Sequence, residues 1–465
     1  MKKQIIIYIA ISVLNLFLFL GIFSLLQNSG VYHQTLGKIS HNYERTGDWN
    51  NYKIVQVNKP YIEINNSNLL WWDAPIYQCI SKNMYIAEEA CYGKVRAAFF
   101  PLFPLLWKAT NSSAISISVI NYFLFAAGLA LMMIYFFKAK PYKTYSTYTV
   151  LLTLPTVIIF YIPYTEAIFM FCMTIAAIGL LKSKYQLYFI GALLTAMVRP
   201  ATVFILFAIL IAEALIGLRH QQLKLYLKDS FLKGLPFGLG YAAALGIQYL
   251  SSGSWLAFSD AHTYWSGGLQ KIGAIVDWSI EGFGMNTFSI VMISLPALAF
   301  CLYVFFSVFA KSSKFLNTLK ENKVNYIFLV SMLYLAGILI FTGLTSGGNL
   351  HSYFRFTMAS PLFYLGAIIL LGYLSQTKSR YHLLIFSLAL GLLIIFMNSV
   401  PYGGQRFTFA YMGQYLLVVT SLFLLLRKYL PQKVDIAILT VLVFMNSVWT
   451  TYLLNAYMSN GWLFT

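Results

Sequence analysis

One segment of the chain combines the residue types best suited to chemistry. It contains Trp72, Asp73 and Tyr77 and is followed by the apolar run FFPLFPLL. This spacing sets one carboxylate among aromatic rings, ahead of a stretch that is too short to cross a membrane. A carboxylate in such a position can accept a proton from a reacting group. We therefore interpret the segment as a site rather than as a membrane span.

The elements around this segment are predicted to span a membrane. The 465 residues are 59% hydrophobic and 10% charged, and the mean hydropathy is +0.70. Apolar runs of about 20 residues recur from end to end, which is the length that crosses a bilayer as a helix. We predict an all-α polytopic membrane protein with about 13 transmembrane helices, folded as one domain over residues 1–465. The apolar run from Ile5 to Leu26 is interpreted as a retained first span.

Lysine and arginine predict the orientation of the spans. Of the 32 basic residues, 20 fall in short loops on one side, where the only acids are Asp229, Glu321 and Asp435. Cytoplasmic loops carry such an excess, so the N-terminus is predicted inside and the C-terminus outside. Topology then explains most of the net charge of +18. We expect contact with membrane lipids and no nucleic-acid partner, because no span interleaves basic and aromatic residues as a nucleic-acid groove does.

The predicted outer side carries two large loops, at residues 27–112 and 251–285, and ten of the 14 acidic residues. A transporter would more often place its ionisable groups at the bilayer midplane, so we expect the chemistry to face outward. Cys79 and Cys91 share the first loop, where they could form a disulfide if that compartment is oxidising. The histidines show no ligand spacing with cysteine or with each other, and no metal or other cofactor is predicted.

Two local structures are expected in the first loop. The sequence LLWWDAPIYQCISKNMY predicts a short helix at the membrane interface, anchored by Trp71, Trp72 and Tyr77. AAFFPLFPLLWKA is too short to span and contains two prolines, so it predicts a re-entrant or interfacial element packed on protein. The simpler alternative is that Asp73 only caps a surface helix and that the prolines end a span. The order of the two segments favours a site.

Five stretches of the sequence carry a resemblance to a known family. They are WDAPIYQCISKNMY with AAFFPLFPLLW, PYTEAIFMF, MVRPATVF, SGSWLAFSDAHTYW and HSYFRFTMASPLF. In the same order over most of the chain, they resemble motifs of the PIG-V-like mannosyltransferases, membrane glycosyltransferases of the GT-C superfamily. The resemblance implies a GT-C fold with a large first extracytoplasmic loop. It also implies inverting transfer of a sugar, typically mannose, from a polyprenyl-phosphate donor to a glycan, glycolipid or protein acceptor on the outer face.

The same resemblance implies roles for the charged residues of the outer side. Asp73 would be the general base that removes the proton of the acceptor hydroxyl. Arg199, Arg355 and Arg406 lie at outer mouths of spans and are the candidates for stabilising the phosphate of the donor. The alternative for each arginine is a cation that reaches lipid head groups.

Sugar and acceptor contacts are predicted for six residues: Trp72, Tyr77, Glu166, His262, Tyr264 and Trp265. Aromatic faces suit the apolar face of a pyranose ring, and a carboxylate binds sugar hydroxyls. The alternatives are that the aromatic residues form an interfacial belt and that Glu166 pairs with one of the arginines.

The chain is only loosely similar to the eukaryotic enzymes of the lipid-anchor pathway, so a bacterial cytoplasmic membrane is predicted rather than the endoplasmic reticulum.

Other functions remain open. A polymerase or ligase acting on lipid-linked oligosaccharide would carry its large loop late in the chain, whereas here it follows the first span. A transporter would carry an internal repeat and midplane charges. A non-catalytic relative would keep Asp73 for structural reasons.

Overall fold

The fold is given by a computed structural model. It describes residues 2–28, 43–46, 53–56, 62–86, 93–263, 288–309, 314–319, 321–345, 353–376 and 412–460. Over these ranges the regular secondary structure is helical apart from one antiparallel pair of four-residue strands, β1 (Tyr43–Thr46) and β2 (Lys53–Gln56), in which Tyr43 lies opposite Gln56.

The helices of the described ranges are named in chain order. They are α1 (Lys2–Asn28), α2 (Ala74–Asn83), α3 (Leu102–Thr110), α4 (Ala114–Phe136), α5 (Pro141–Leu152), α6 (Glu166–Leu181), α7 (Tyr185–Ala196), α8 (Val203–His220), α9 (Leu223–Ser252), α10 (Ala257–Thr263), α11 (Leu295–Phe309), α12 (Lys314–Thr318), α13 (Lys323–Thr345), α14 (Tyr353–Thr357), α15 (Pro361–Gln376), α16 (Met412–Leu426) and α17 (Gln432–Met458).

Within the described part of the chain, six helical stretches are long and apolar enough to cross a membrane. They are Lys2–Asn28, Ala114–Phe136, Pro200–His220, Ile290–Val308, Lys323–Gly343 and Gln432–Met458. Three shorter apolar helices accompany them, at Glu166–Leu181, Tyr185–Ala196 and Pro361–Ser375. The expectation of a helical multi-pass membrane protein is confirmed. The count of 13 spans stays a prediction.

The sequence predicts one continuous span over residues 145–162, and this prediction is wrong. Helix α5 ends at Leu152, and the chain continues through a 3₁₀ turn at Val157–Phe160. Pro155 explains the break, because it has no N–H to donate and its ring clashes with a preceding carbonyl in a helix. The ring of Phe160 stacks on that of Phe125 of α4, with 4.0 Å between centroids. After this break, residues 161–165 connect the 3₁₀ turn to the start of α6.

The first loop contains the short elements that its sequence predicts. Helix α2 follows Asp73, and α3 begins directly after Pro101, with Pro104 in its first turn, where no helical N–H is required. Phe100 and Phe103 are fully buried, so this element packs against protein as expected. Cys79 in α2 is disulfide-bonded, whereas Cys172 and Cys301 are free. The fourth cysteine, Cys91, lies outside the described residues.

Helix α17 holds the first loop in place from the far end of the sequence. The hydroxyl of Tyr457 lies 3.0 Å from the carbonyl oxygen of Leu69 and 3.1 Å from that of Trp71. The indole N–H of Trp71 donates to the carbonyl oxygen of Met458 at 2.9 Å. Trp71 is therefore buried against α17, and its predicted role as an interfacial anchor is wrong. These bonds fix the backbone immediately before Asp73.

One cation counted among the predicted inner loops is also buried. The guanidinium of Arg427 donates to Asp435 at 3.0 Å and to the hydroxyl of Thr147 at 2.8 Å. The phenol of Tyr142 donates to the same carboxylate at 2.8 Å. This network joins α5 to the turn between α16 and α17, so it stabilises the packing of the helices.

Close packing of α7 against α9 depends on a glycine. A Cβ atom at Gly240 would lie 2.8 Å from the Cβ of Ala196 and would also meet the carbonyl oxygen of Leu193, whereas a Cβ at Gly238 would meet nothing within 4 Å. Small residues allow membrane helices to approach each other in this way.

We predict that Gly240→Ala lowers the free energy of unfolding by about 1–3 kcal/mol, because the added methyl group overpacks the contact. Gly238→Ala is the matched control in the same helix, and its effect should be neutral or slightly stabilising because alanine favours helix. Thermal or denaturant unfolding in detergent measures both. Equal effects of the two substitutions would contradict the proposed contact.

A buried charge cluster as the candidate functional site

Four charged residues from distant parts of the sequence meet at one end of the helices. Asp73 directly precedes α2, and Glu166 is the first residue of α6. Arg199 precedes the 3₁₀ turn at Pro200–Thr202, and Arg355 lies in the short helix α14. The sequence places each of them at an end of an apolar run, and the structure brings all four into contact.

Arg355 lies at the centre of this cluster. Its Nη1 donates to Oδ2 of Asp73 at 2.6 Å, and its Nε donates to Oε1 of Glu166. Arg199 donates from Nη1 to the same oxygen of Glu166 at 2.9 Å. Arg355 thus bridges two carboxylates, and Glu166 bridges two arginines. The alternative that Glu166 pairs with an arginine is observed, and the carboxylate pairs with two of them. A contact of Glu166 with a sugar stays a prediction.

The cluster is largely removed from solvent. The side chain of Glu166 is fully buried, those of Arg355 and Arg199 are 8% and 10% exposed, and that of Asp73 is 17% exposed. Two positive and two negative charges cancel, which reduces the cost of burying them. Asp73 is the most exposed of the four and is therefore the one best placed to meet a ligand.

Aromatic rings cover both guanidinium groups. The Cζ atom of Arg355 lies 4.7 Å from the ring centroid of Tyr164, and that of Arg199 lies 5.3 Å from the ring centroid of Phe356. Such contacts stabilise a cation where little water is present. The rings also fix the planes of the two guanidinium groups, and so the directions in which their N–H groups point.

Asp73 occupies the N-cap position of α2, but its side chain makes no capping hydrogen bond. Its carboxylate points to Arg355 instead, so the interpretation as a simple helix cap is wrong. Its backbone N–H donates to the hydroxyl of Tyr164 at 3.3 Å. The preceding residue, Trp72, has φ of +57°, a left-handed conformation that costs a residue with a side chain about 1–3 kcal/mol. This unfavourable backbone conformation lies directly before Asp73, whose carboxylate points to Arg355.

The two aromatic residues predicted beside Asp73 have different environments. Trp72 is exposed, whereas Tyr77 is buried, so of these two only Trp72 remains available as an interfacial anchor. The ring of Tyr77 packs edge-on against Phe99 and Phe103, with centroids 5.2 and 5.3 Å apart. Burial, reinforced by the charge of Asp73, raises the pKa of the Tyr77 phenol, so it stays protonated at neutral pH. Its hydroxyl is 3.5 Å from that of Thr165.

Sequence reasoning missed the residues that hold the cluster in place. The side-chain amide of Asn121 in α4 donates to the carbonyl oxygens of Ile162 and Tyr164 at 2.8 and 2.9 Å. It thereby fixes the turn that presents Tyr164 and Glu166. A single asparagine in an otherwise apolar run is the signal that could have identified this role, since a buried amide requires partners.

Several predicted contact residues cannot be placed in the cluster. Arg406, Tyr264 and Trp265 lie outside the described residues. His262 belongs to α10, of which the backbone is described at that position. Helix α10 packs beside the first loop through Ala261, which contacts a buried group containing Ile76 and Ala97. The start of the second large loop therefore lies next to the 3₁₀ turn at Gly93–Ala98 of the first loop.

Among the described residues, no group of three or more histidine, cysteine, aspartate or glutamate side chains is arranged to hold a metal ion. The chemistry that the cluster itself offers is proton transfer at Asp73 and binding of an anion by the two guanidinium groups.

Glu166→Gln should lower the free energy of unfolding by about 3–5 kcal/mol, because it leaves two buried guanidinium groups with only one carboxylate. Glu321→Gln is the matched control, because Glu321 is exposed. Unfolding in detergent or bicelles measures both proteins. If the Glu166→Gln protein is as stable as this control, the carboxylate of Glu166 is not needed to stabilise the two buried arginines.

Comparison with known proteins identifies no relative: no family model matches the chain, and no curated protein and no solved structure is significantly similar to it.

Proposed function

We propose that this protein is a membrane glycosyltransferase that transfers a sugar from a polyprenyl-phosphate donor. Mannose is the sugar that we propose. The acceptor would be a glycan, a glycolipid or a protein. The proposal rests on the resemblance of the sequence segments to PIG-V-like mannosyltransferases. One observation supports it above the others: the residues to which that resemblance assigns the general base and two of the phosphate ligands, Asp73, Arg199 and Arg355, lie in one buried cluster.

The free-energy cost of burying these four charges supports a functional role for the cluster. Replacing a buried ion pair by apolar residues of similar size is often neutral or stabilising by about 1–4 kcal/mol. Stability alone therefore does not explain why two arginines and two carboxylates are buried at this position. Buried charged groups with perturbed environments concentrate at functional sites instead.

The geometry at Asp73 fits the work of a general base. One carboxylate oxygen is held by Arg355, which fixes the orientation of the group. The other oxygen, Oδ1, accepts no hydrogen bond from the described residues and belongs to the most exposed member of the cluster. An acceptor hydroxyl that reaches this oxygen would have a positioned base within hydrogen-bonding distance.

The proposed reaction is a single displacement. The acceptor oxygen forms a bond to the anomeric carbon while the bond from that carbon to the phosphate oxygen breaks. The hydroxyl proton passes to Asp73, and the electron pair of the broken bond leaves with the lipid phosphate. Attack from the face opposite the leaving group inverts the anomeric configuration.

Arg199 and Arg355 are proposed to stabilise the departing phosphate, together with Arg406. Both described arginines already bind Glu166, so the donor phosphate would share or displace these carboxylate contacts. Arginine suits this exchange, because its planar guanidinium presents several N–H donors at once.

The finer architecture is part of the same proposal: about 13 spans, a GT-C arrangement, and a site on the outer face of a bacterial cytoplasmic membrane. The disulfide at Cys79 supports the outer location of the first loop, because disulfides persist in oxidising compartments. The basic loops at the other helix ends support the same orientation.

Asp73→Asn should reduce sugar transfer by a factor of about 10²–10⁴, because it removes the base while keeping the shape of the side chain. Transfer from radiolabelled polyprenyl-phosphate-mannose is measured in membranes, with a crude lipid and glycan extract as the acceptor. Glu63→Gln is the matched control, because Glu63 is an exposed carboxylate of the same loop.

Retained transfer in a folded Asp73→Asn protein would remove Asp73 as the base. If the wild-type protein transfers no sugar from any polyprenyl-phosphate donor, the proposal fails, and the polymerase, transporter and non-catalytic alternatives take its place.

Arg355→Lys should reduce transfer at least about 100-fold, although the charge is kept. A single ammonium cannot reproduce the separate Nε and Nη1 contacts that bridge Glu166 and Asp73. Arg219→Lys is the control at the opposite end of the helices, where the arginine contacts Asn317. Full activity of Arg355→Lys would show that charge alone suffices and would contradict the bridging role.

A further inference from the structure

A cavity with charged residues in its lining lies at the opposite end of α6 from Glu166. Helix α6 has 16 residues, which separates its two ends by about 24 Å. The cavity has a volume of about 340 Å³ and is bounded by the ends of α6 and α8 and the beginnings of α7, α9 and α13. It is therefore distinct from the cluster around Asp73.

The cavity contains a buried hydroxyl group that has no hydrogen-bond partner among the described residues. Tyr226 lines the cavity and is only 5% exposed, and its phenol oxygen is fully buried. Buried polar groups are nearly always paired, and an exception requires an explanation. A ligand in the cavity would supply the missing partner.

The charges that line the cavity are of both signs. Glu213 is buried and pairs with Lys233, whose ammonium lies 4.3 Å from the ring centroid of Tyr326. Asp229 and Lys323 also line the cavity, and neither forms a salt bridge within the described part of the chain. Lys323 donates one hydrogen bond to the hydroxyl of Ser183, so the cavity offers the carboxylate of Asp229 and the remaining N–H groups of the Lys323 ammonium.

The cavity borders an exposed apolar surface. Leu232 and Tyr185 line the cavity and are 38% and 44% exposed, and the adjacent Phe231 is 65% exposed. Exposed apolar and aromatic side chains beside lysines are typical of the level of the lipid head groups. A ligand that enters along this surface would come from the membrane.

We infer that this cavity binds the head group of a zwitterionic phospholipid that carries a primary ammonium, namely phosphoethanolamine. Its phosphate would accept hydrogen bonds from Lys323 and from the hydroxyl of Tyr226. Its ammonium would donate to Asp229 and lie near the tyrosine rings. A purely anionic head group would leave Asp229 unpaired, and a quaternary ammonium has no N–H to donate to it.

The inference is tested by native mass spectrometry of the purified full-length protein in micelles that contain phosphatidylethanolamine, phosphatidylcholine and phosphatidylglycerol in equal amounts. We expect phosphatidylethanolamine to be retained about tenfold more than either other lipid, the preference expected from one charge-assisted hydrogen bond. Equal retention of the three lipids, or a preference for phosphatidylglycerol, would overturn the inference. So would equally tight binding of soluble phosphoethanolamine.

Three variants assign the preference to the cavity. Asp229→Asn should abolish the preference for phosphatidylethanolamine, Lys323→Gln should weaken retention of all three lipids, and Tyr226→Phe should weaken retention while keeping the packing of the ring. Lys228→Gln and Tyr303→Phe are the controls, because both side chains are exposed and neither lines the cavity. Variants that bind like these controls would overturn the inference. Thermal unfolding of each variant establishes that it is folded.

Discussion

The bridging of two carboxylates by Arg355 is the interaction on which the candidate site depends. A buried guanidinium is tolerated only when its N–H groups find acceptors, and here Nε and Nη1 point to different acids. The segment before α2, the start of α6 and helix α14 must therefore all be in place together. Arg199 extends the same requirement to the end of α7, because it shares an oxygen of Glu166.

The neutrality of this cluster has a consequence for any anionic ligand. Two arginines are matched by two carboxylates, so the cluster holds no excess positive charge. The proposed donor phosphate would compete with Asp73 and Glu166 for the same N–H groups. Its binding would therefore require the contacts of Arg199 and Arg355 to rearrange.

The charged residues of the site could be predicted from the sequence, because each lies in one of the five segments that resemble motifs of a known family. Asp73, Glu166, Arg199 and Arg355 all stand out in this way. The sequence suggested that Glu166 pairs with an arginine, but the full network could not be predicted, since it depends on side-chain geometry between segments that lie up to 282 residues apart. The helical membrane architecture followed from the apolar runs alone.

The supporting residues gave a weaker signal. The chain contains 34 tyrosines, so nothing in the sequence distinguishes Tyr164 under Arg355 or Tyr457 beside Trp71 from the rest. Trp71 and Tyr77 have the composition of interfacial anchors, and only tertiary packing reveals that they are buried. Pro155 did carry the information that the predicted span at 145–162 is broken, but the strong hydrophobicity of that run outweighed it.

The attachment of the first loop to α17 determines when the site can exist. The contacts of Trp71 with Met458 and of Tyr457 with the loop join positions nearly 400 residues apart and close most of the chain into a ring. A ribosome that has made only α1 to α16 has made every residue of the charge cluster but not the helix that fixes the backbone before Asp73. The contacts that fix the backbone before Asp73 can therefore form only after α17 has been made, and an incompletely synthesised chain would carry the charges of the site without these contacts.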